Sequence, residues 1–325
     1  MEIMYREAIN QAIAEEMERD DKIFMIGEEI GKTLGGSFQV TRGLEERFGS
    51  ERIRVTPISE VAIIGAAIGS AATGLRPIAE IMFDDFIFVA GDQVVNQMAK
   101  LRYMTGGQVV LPITLRMAMG SALLSGSHHA QCVIGMFMNV PGLKIVAPSC
   151  PKDAKGILKS AIRDNNPVLV FEHILLYSLK GEVPDGDYTI PIGKADIKRE
   201  GKDITIIAIS QMVNKSLNVA KRMEAKGIDV EVIDPISLVP LDNETIIKSV
   251  KKTRKVIIAS NGPITNGPGS EILARINDYA FDFLDAPVIR IADKDCPIPF
   301  SPVLENYVMP QEEDIVNAVE KLVKK

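Results

Sequence analysis

Short apolar runs rich in isoleucine and valine alternate, along almost the whole chain, with longer stretches of helical period. Residues 22–27, 52–55, 77–83, 111–117, 143–147 and 168–172 read as strands, and residues 5–17, 61–72, 84–104 and 151–163 as helices. Such an order implies parallel strands joined by crossover helices, an α/β fold with helices on both faces of the sheet. A charged stretch at 177–201, with Pro184, Gly186, Pro191 and Gly193, interrupts the pattern. The alternation then resumes: strands at 204–209, 230–234, 256–260 and 288–292, and helices at 212–225, 243–250, 269–281 and 312–323. The expected partition is a first domain at 1–176, a linker at 177–201 and a smaller α/β domain at 202–325.

Composition narrows the function classes. The formal net charge is −6 with no long basic run, which argues against nucleic acid as a partner. Three cysteines, Cys132, Cys150 and Cys296, are far apart and form no C-x-x-C pair, so neither a disulfide framework nor a zinc site is expected. Glu2, Arg6 and Glu7 stand where a secretory leader would be apolar, and no apolar run reaches bilayer length. A soluble cytoplasmic protein without a membrane partner is the expectation.

The stretch Thr56-Pro57-Ile58-Ser59-Glu60 ends one strand and opens the apolar helix at 61–72. Pro57 restricts the residue before it, and Ser59 is placed to cap the helix with its side chain. With no charge from Val61 to Ala72, that helix is expected to be buried all round. Two readings of Glu60 stand at this point: an acid complementing the helix dipole, or a carboxylate set in an apolar pocket to exchange a proton. In parallel sheets ligands sit at the carboxyl ends of strands. Glu60, the segment 84–88, and the loop bearing His128 and His129 all follow strands in that way, which favours the second reading. Residues 28–43, with Gly31, Gly35, Gly36 and Gly43, read as a surface loop without a phosphate-loop pattern.

Other features carry less. Gly267-Pro268-Gly269 precedes a helix but lacks the third glycine of a dinucleotide turn, and its proline removes an N–H donor. His128 and His129 lack a third ligand for a metal nearby, and a structural role stands beside a catalytic one. His173 reads as a packing or interface residue. Phe83, Phe86 and Phe88 fit either a flat pocket or ordinary core.

Taken together, Thr56 to Glu60, Asp84-Asp85-Phe86 with Asp92-Gln93, Leu101 to Gly107, His129-Ala130-Gln131, Asp153 to Gly156, Ala161 to Pro167 and Pro297 to Phe300 resemble one family. It is the beta subunit of the thiamine-diphosphate-dependent 2-oxo acid dehydrogenases, which includes pyruvate, branched-chain and acetoin members. The resemblance covers essentially the whole chain. It implies a transketolase-type pyrimidine-binding domain followed by a transketolase C-terminal domain. It implies that Glu60 hydrogen-bonds the aminopyrimidine of the cofactor and helps form its reactive ylid, that Phe86 stacks on that ring, and that Ile58 and Met82 line the pocket. His129 would serve proton transfer and the passing of the acyl group to a lipoyl arm. The backbone carbonyls of Ile113, Ala161, Ile162, Asp164 and Asn166 match positions that hold potassium in some members; a water-satisfied helix end is the other reading of those carbonyls.

The chain departs from that family in places. Ala130 stands where a serine follows the histidine, residues 117–127 are more apolar than usual, and Asn261 stands where glutamate is common. The Gly-Asp-Gly…Asn pattern for magnesium and diphosphate is absent, and Asp185-Gly186-Asp187 has the wrong spacing. The resemblance therefore implies an α2β2 heterotetramer whose alpha subunit supplies the magnesium site, with the C-terminal domain meeting a lipoyl acyltransferase core. The expected reaction is oxidative decarboxylation of pyruvate. The alternatives are acetoin or branched-chain substrates, the C-terminal part of a split transketolase, or an assembly subunit without catalysis.

Overall fold

Tyr5, Ile9, Ile13 and Met17 recur at four-residue spacing, and this stripe is buried on helix α1 (Tyr5–Arg19) in the computed structural model, which describes residues 1–121 and 124–324. The chain divides into two compact units, residues 1–119 with 137–192, and residues 120–136 with 193–325. The stretch expected as a linker is thus shared between them, and a segment of the first half belongs to the second unit.

The first unit is built on β1 (Ile23–Glu28), β2 (Ile53–Thr56), β3 (Arg76–Phe83), β4 (Thr114–Met119), β5 (Lys144–Val146) and β6 (Val168–His173). These strands pair in parallel in the order β2-β1-β3-β4-β6-β5. Every residue of β1, β4 and β6 is buried, as a sheet covered on both faces requires. Helix α2 (Glu60–Ala72) packs against β3, and α3 (Pro151–Arg163) packs against α1. A buried guanidinium ties three neighbouring strands. Arg116 on β4 pairs with Glu80 on β3 and with both oxygens of Glu172 on β6. Desolvation acts against the charge on Arg116, but the two carboxylates outweigh it and hold its pKa above the usual arginine range.

The second unit carries β7 (Asp196–Arg199), β8 (Ile204–Ala208), β9 (Val230–Asp234), β10 (Val256–Pro263) and β11 (Ile289–Asp293), in the order β11-β10-β8-β9-β7. All are parallel except β7, an antiparallel edge. Around them lie α4 (Gln211–Glu224), α5 (Asn243–Thr253), α6 (Pro268–Ala280) and α7 (Glu312–Val323). Ile206, Met212, Val219, Ile257 and Ile315 share one buried cluster between this sheet and helices α4 and α7. Among the described residues no helix is long and apolar enough to cross a membrane.

Three expectations are corrected. Residues 84–104 form no single helix: a 3-10 turn (Asp84–Phe88), a π-helical stretch (Gln93–Met98) and a short α-helix (Leu101–Met104) replace it. Helix α2 is not buried all round, since Val61 is 44% exposed and Ala62, Ala66 and Ala72 face solvent. The segment at 28–43 is more than a surface loop, because Glu28 completes β1 and Ile30, Gly35, Gly36, Val40 and Thr41 are buried.

Candidate active site

Three neighbouring parallel strands deliver the candidate residues at their carboxyl ends. β1 ends on Glu28, which lies in register with Thr56, the last residue of β2. Pro57, Ile58 and Ser59 then turn the chain into α2, whose first residue is Glu60. On the other side of β1, β3 brings Met82 and Phe83, and the 3-10 turn after it brings Phe86. Ile58, Glu60, Met82 and Phe86 therefore come from adjoining strand ends of one unit. Glu60 is buried at 7% exposure, whereas Ile58 is 76% exposed. Ser59 makes no side-chain cap, contrary to expectation. The Ser59 carbonyl accepts from Ile63 N–H at 3.0 Å, the first bond of the helix, and its own N–H acts to lower the pKa of the Glu28 carboxyl.

Glu28 is a further candidate that the sequence did not single out. Burial, and next the negative charge of Glu60, push its carboxyl up to about 6, against the lowering effect of the Ser59 N–H. Two carboxylates in electrostatic reach, one of them raised to about 6, are suited to holding a proton at this site. Glu28 Oε1 and Thr56 Oγ1 are both buried without a hydrogen-bond partner among the described residues. Both residues line a cavity of about 500 Å3, together with Leu34, Val55, Pro57 and Ile58. Glu29, Lys32, Thr33 and Glu45 also line it, whereas Glu60, Met82 and Phe86 do not, so the unpaired buried atoms of Glu28 and Thr56 face a cavity of mixed polarity beside the other candidate residues. The signal available in the sequence was position alone: an acid closing a parallel strand.

His129 is half-buried in the second unit, on the 120–136 segment, where its N–H reaches Gly126 O at 3.4 Å. Gly120 N–H closes the base of that segment on Gln131 O at 2.8 Å; Ala122 and Leu123 lie outside the described residues. Ala130 packs with Ile298, Val308 and Met309, so its methyl fills an apolar cluster. His173 is fully buried and its Nδ1 accepts from Leu175 N–H at 3.3 Å. No group of three or more His, Cys, Asp or Glu among the described residues is placed to hold a metal ion.

Two of the five carbonyls expected at a potassium site already face a cation. Arg76 Nη1 donates to Ile162 O and to Asp164 O, each at 2.8 Å. Ala161 O accepts from Asp164 N–H at 3.3 Å, and Ile113 O from Val168 N–H at 2.9 Å. Each carbonyl oxygen has a second lone pair, but a potassium ion on the Ile162 and Asp164 oxygens would have to share them with the Arg76 guanidinium. Asp187 of the Asp185-Gly186-Asp187 stretch is engaged by Arg163 at 2.9 Å and by Lys159, a structural task that leaves it unsuited to magnesium.

The class follows from both halves of the chain. Residues 1–179 match the pyrimidine binding domain of transketolase, and residues 193–315 match the transketolase C-terminal domain. A solved structure described as a split gene transketolase, inactive beta4 tetramer, superimposes with a TM-score of 0.82 at 25% identity, over 99% of this chain and 98% of that one. The acetoin:2,6-dichlorophenolindophenol oxidoreductase subunit beta of Bacillus subtilis (strain 168) is 45% identical, over 99% of this chain and 97% of its own length. The 2-oxoisovalerate dehydrogenase subunit beta of the same organism is 45% identical, over 98% of each. The mitochondrial pyruvate dehydrogenase E1 component subunit beta of Bos taurus is 44% identical, over 99% and 90%. This chain belongs to the family of dehydrogenase E1 beta subunits built on transketolase pyrimidine-binding and C-terminal domains.

Proposed function

We propose that this chain is the beta subunit of a thiamine-diphosphate-dependent 2-oxo acid dehydrogenase first component, that it takes part in the oxidative decarboxylation of pyruvate and the acylation of a lipoyl domain, and that it acts in an α2β2 heterotetramer. The observation that carries this reading is the buried Glu60 at the start of α2, electrostatically coupled to Glu28, at the ends of three parallel strands. When bound, thiamine diphosphate supplies an electron sink for the decarboxylation of a 2-oxo acid. Glu60 would hold a proton against a ring nitrogen of its aminopyrimidine, with Glu28 as the second carboxyl of the pair. Phe86 would stack on that ring, and Ile58 and Met82 would exclude water from it. His129 would act in proton transfer and acyl transfer.

The partner is supported by what this chain leaves open. Ile58, next to the buried acid, is exposed, as are Val61, Ala62 and Ala66 along one face of α2. An apolar surface bordering a half-formed site fits a second subunit that brings the magnesium and diphosphate residues. The same proposal takes residues 1–176 as the pyrimidine-binding domain and 202–325 as the domain that meets the lipoyl acyltransferase, joined through 177–201. It extends to a cytoplasmic location and to potassium on the carbonyls of Ile113, Ala161, Ile162, Asp164 and Asn166. Acetoin and branched-chain 2-oxo acids are kept as alternative substrates, because relatives named for each are as similar as those named for pyruvate. The test is co-expression with the alpha subunit, followed by turnover of pyruvate, acetoin and 2-oxoisovalerate with an artificial oxidant. Preference for pyruvate is expected. Preference for either other substrate would reassign the specificity, and sugar-phosphate transfer would favour a split transketolase.

A further inference from the structure

We propose that Phe38 and Tyr177 are positioning residues for the aromatic wall of the cofactor pocket, acting on Phe86 through a ladder of rings; the proposal rests on the thiamine diphosphate reading above. The ladder starts at Phe86, which meets Phe83 edge to face at 5.9 Å between centroids and 79° between planes. Phe83 meets Phe38 in the same manner, at 5.8 Å and 75°. Phe38 stacks on Tyr177 at 4.7 Å and 21°. Rings packed in this way restrict one another's planes, since edge-to-face and offset contacts are the favoured geometries of aromatic pairs.

Tyr177, at the far end of the ladder, and its neighbour Phe38 are held differently. Tyr177 is 4% exposed, and its hydroxyl donates at 2.8 Å to Glu172, which is clamped by Arg116 and so fastened to the sheet. Phe38, by contrast, is carried by the segment at 29–43, where Gly35 and Gly36 take φ values of 70° and 78° that favour glycine. That segment also supplies Gly31, Thr33 and Leu34 to the wall of the Glu28 cavity. The anchored Tyr177 ring therefore holds a glycine-rich segment in place through Phe38, and Phe38 in turn flanks Phe83, the neighbour of Phe86. Without Phe38 the Phe86 ring would sample more orientations, and fixing it on binding would weaken affinity for the cofactor. No atom of Phe38 or Tyr177 is assigned to the reacting centre, so turnover at saturating cofactor should be kept.

The experiment uses the co-expressed complex and titrates thiamine diphosphate with magnesium by calorimetry, in parallel with turnover. Phe38→Leu should raise the Kd by about tenfold while kcat at saturating cofactor stays within about twofold. Phe38→Tyr, which keeps the ring, should bind as the wild type does. Tyr177→Leu should raise the Kd comparably, and the double substitution should add little to either, because both act through one ladder. An unchanged Kd for Phe38→Leu, a loss of kcat in place of affinity, or strictly additive effects would overturn the proposal. Phe38 sits on a loop, so its substitution stays informative should Tyr177→Leu fail to fold. A wild-type complex that binds no cofactor would overturn the thiamine reading itself, and this proposal with it.

Discussion

Glu28 and Glu60 share one small region but are held differently. Glu28 closes a fully buried strand, and its carboxyl is raised from 4.5 to about 6 by burial and by the Glu60 charge. A carboxyl raised on folding stabilises the fold fully below its unfolded value, and that contribution is lost as pH rises through the folded value. Glu28→Gln should therefore gain in melting temperature relative to the wild type as pH rises from about 4.5 to about 6, measured by thermal melts across that range. Asp293 in the second unit, raised to about 6 chiefly by burial, titrates in the same window, so the comparison must be made between the two proteins at each pH. Parallel curves would contradict the assigned environment. For Glu60→Gln in the complex, turnover should fall by about 10²–10⁴-fold with the melting temperature nearly unchanged, the signature of a lost proton-transfer group. Glu60 was legible as a candidate in the sequence because a proline, a serine and an acid precede an apolar run. Glu28 was not, since nothing local separates an acid ending a strand from one starting a loop.

At the scale of elements, the buried Arg116 holds three strands together by charge as well as by ladder hydrogen bonds. Arg116→Leu would leave Glu80 and Glu172 in the sheet without a counter-ion, and should cost roughly 3–5 kcal/mol in urea unfolding. A cost below about 1 kcal/mol would mean that solvent reaches the carboxylates in place of the guanidinium. The apolar β1, β3, β4 and β6 could be read from the sequence, because strands covered on both faces must be almost continuously hydrophobic. The edge strand β7 could not: Asp196, Lys198 and Arg199 are half-buried and satisfied by ion pairs, Lys198 to Asp196 at 2.8 Å and Arg199 to Asp229 at 2.9 Å. Its sequence thus reads as a charged linker. Residues 84–104 misled for a different reason. Their apolar spacing suits a helix, yet Asp84 and Asp85 are buried at its start and Val89 is 56% exposed, so tertiary packing overrides the period.

At the scale of the whole molecule, the central claim is that this chain holds the ring end of a cofactor whose phosphate end another chain holds. Among the described residues no group of three or more His, Cys, Asp or Glu is placed to hold a metal ion, and Asp187 is engaged by Lys159 and Arg163. The matching domains cover the ring-binding half and the C-terminal half of a transketolase-type enzyme. The most direct measurement is calorimetric titration of thiamine diphosphate, with and without magnesium, into this chain alone and into the complex co-expressed with an alpha subunit. The account predicts no saturable binding to the isolated chain and tight, magnesium-dependent binding to the complex, weakened by Glu60→Gln. Tight magnesium-dependent binding and turnover by the isolated chain would contradict it.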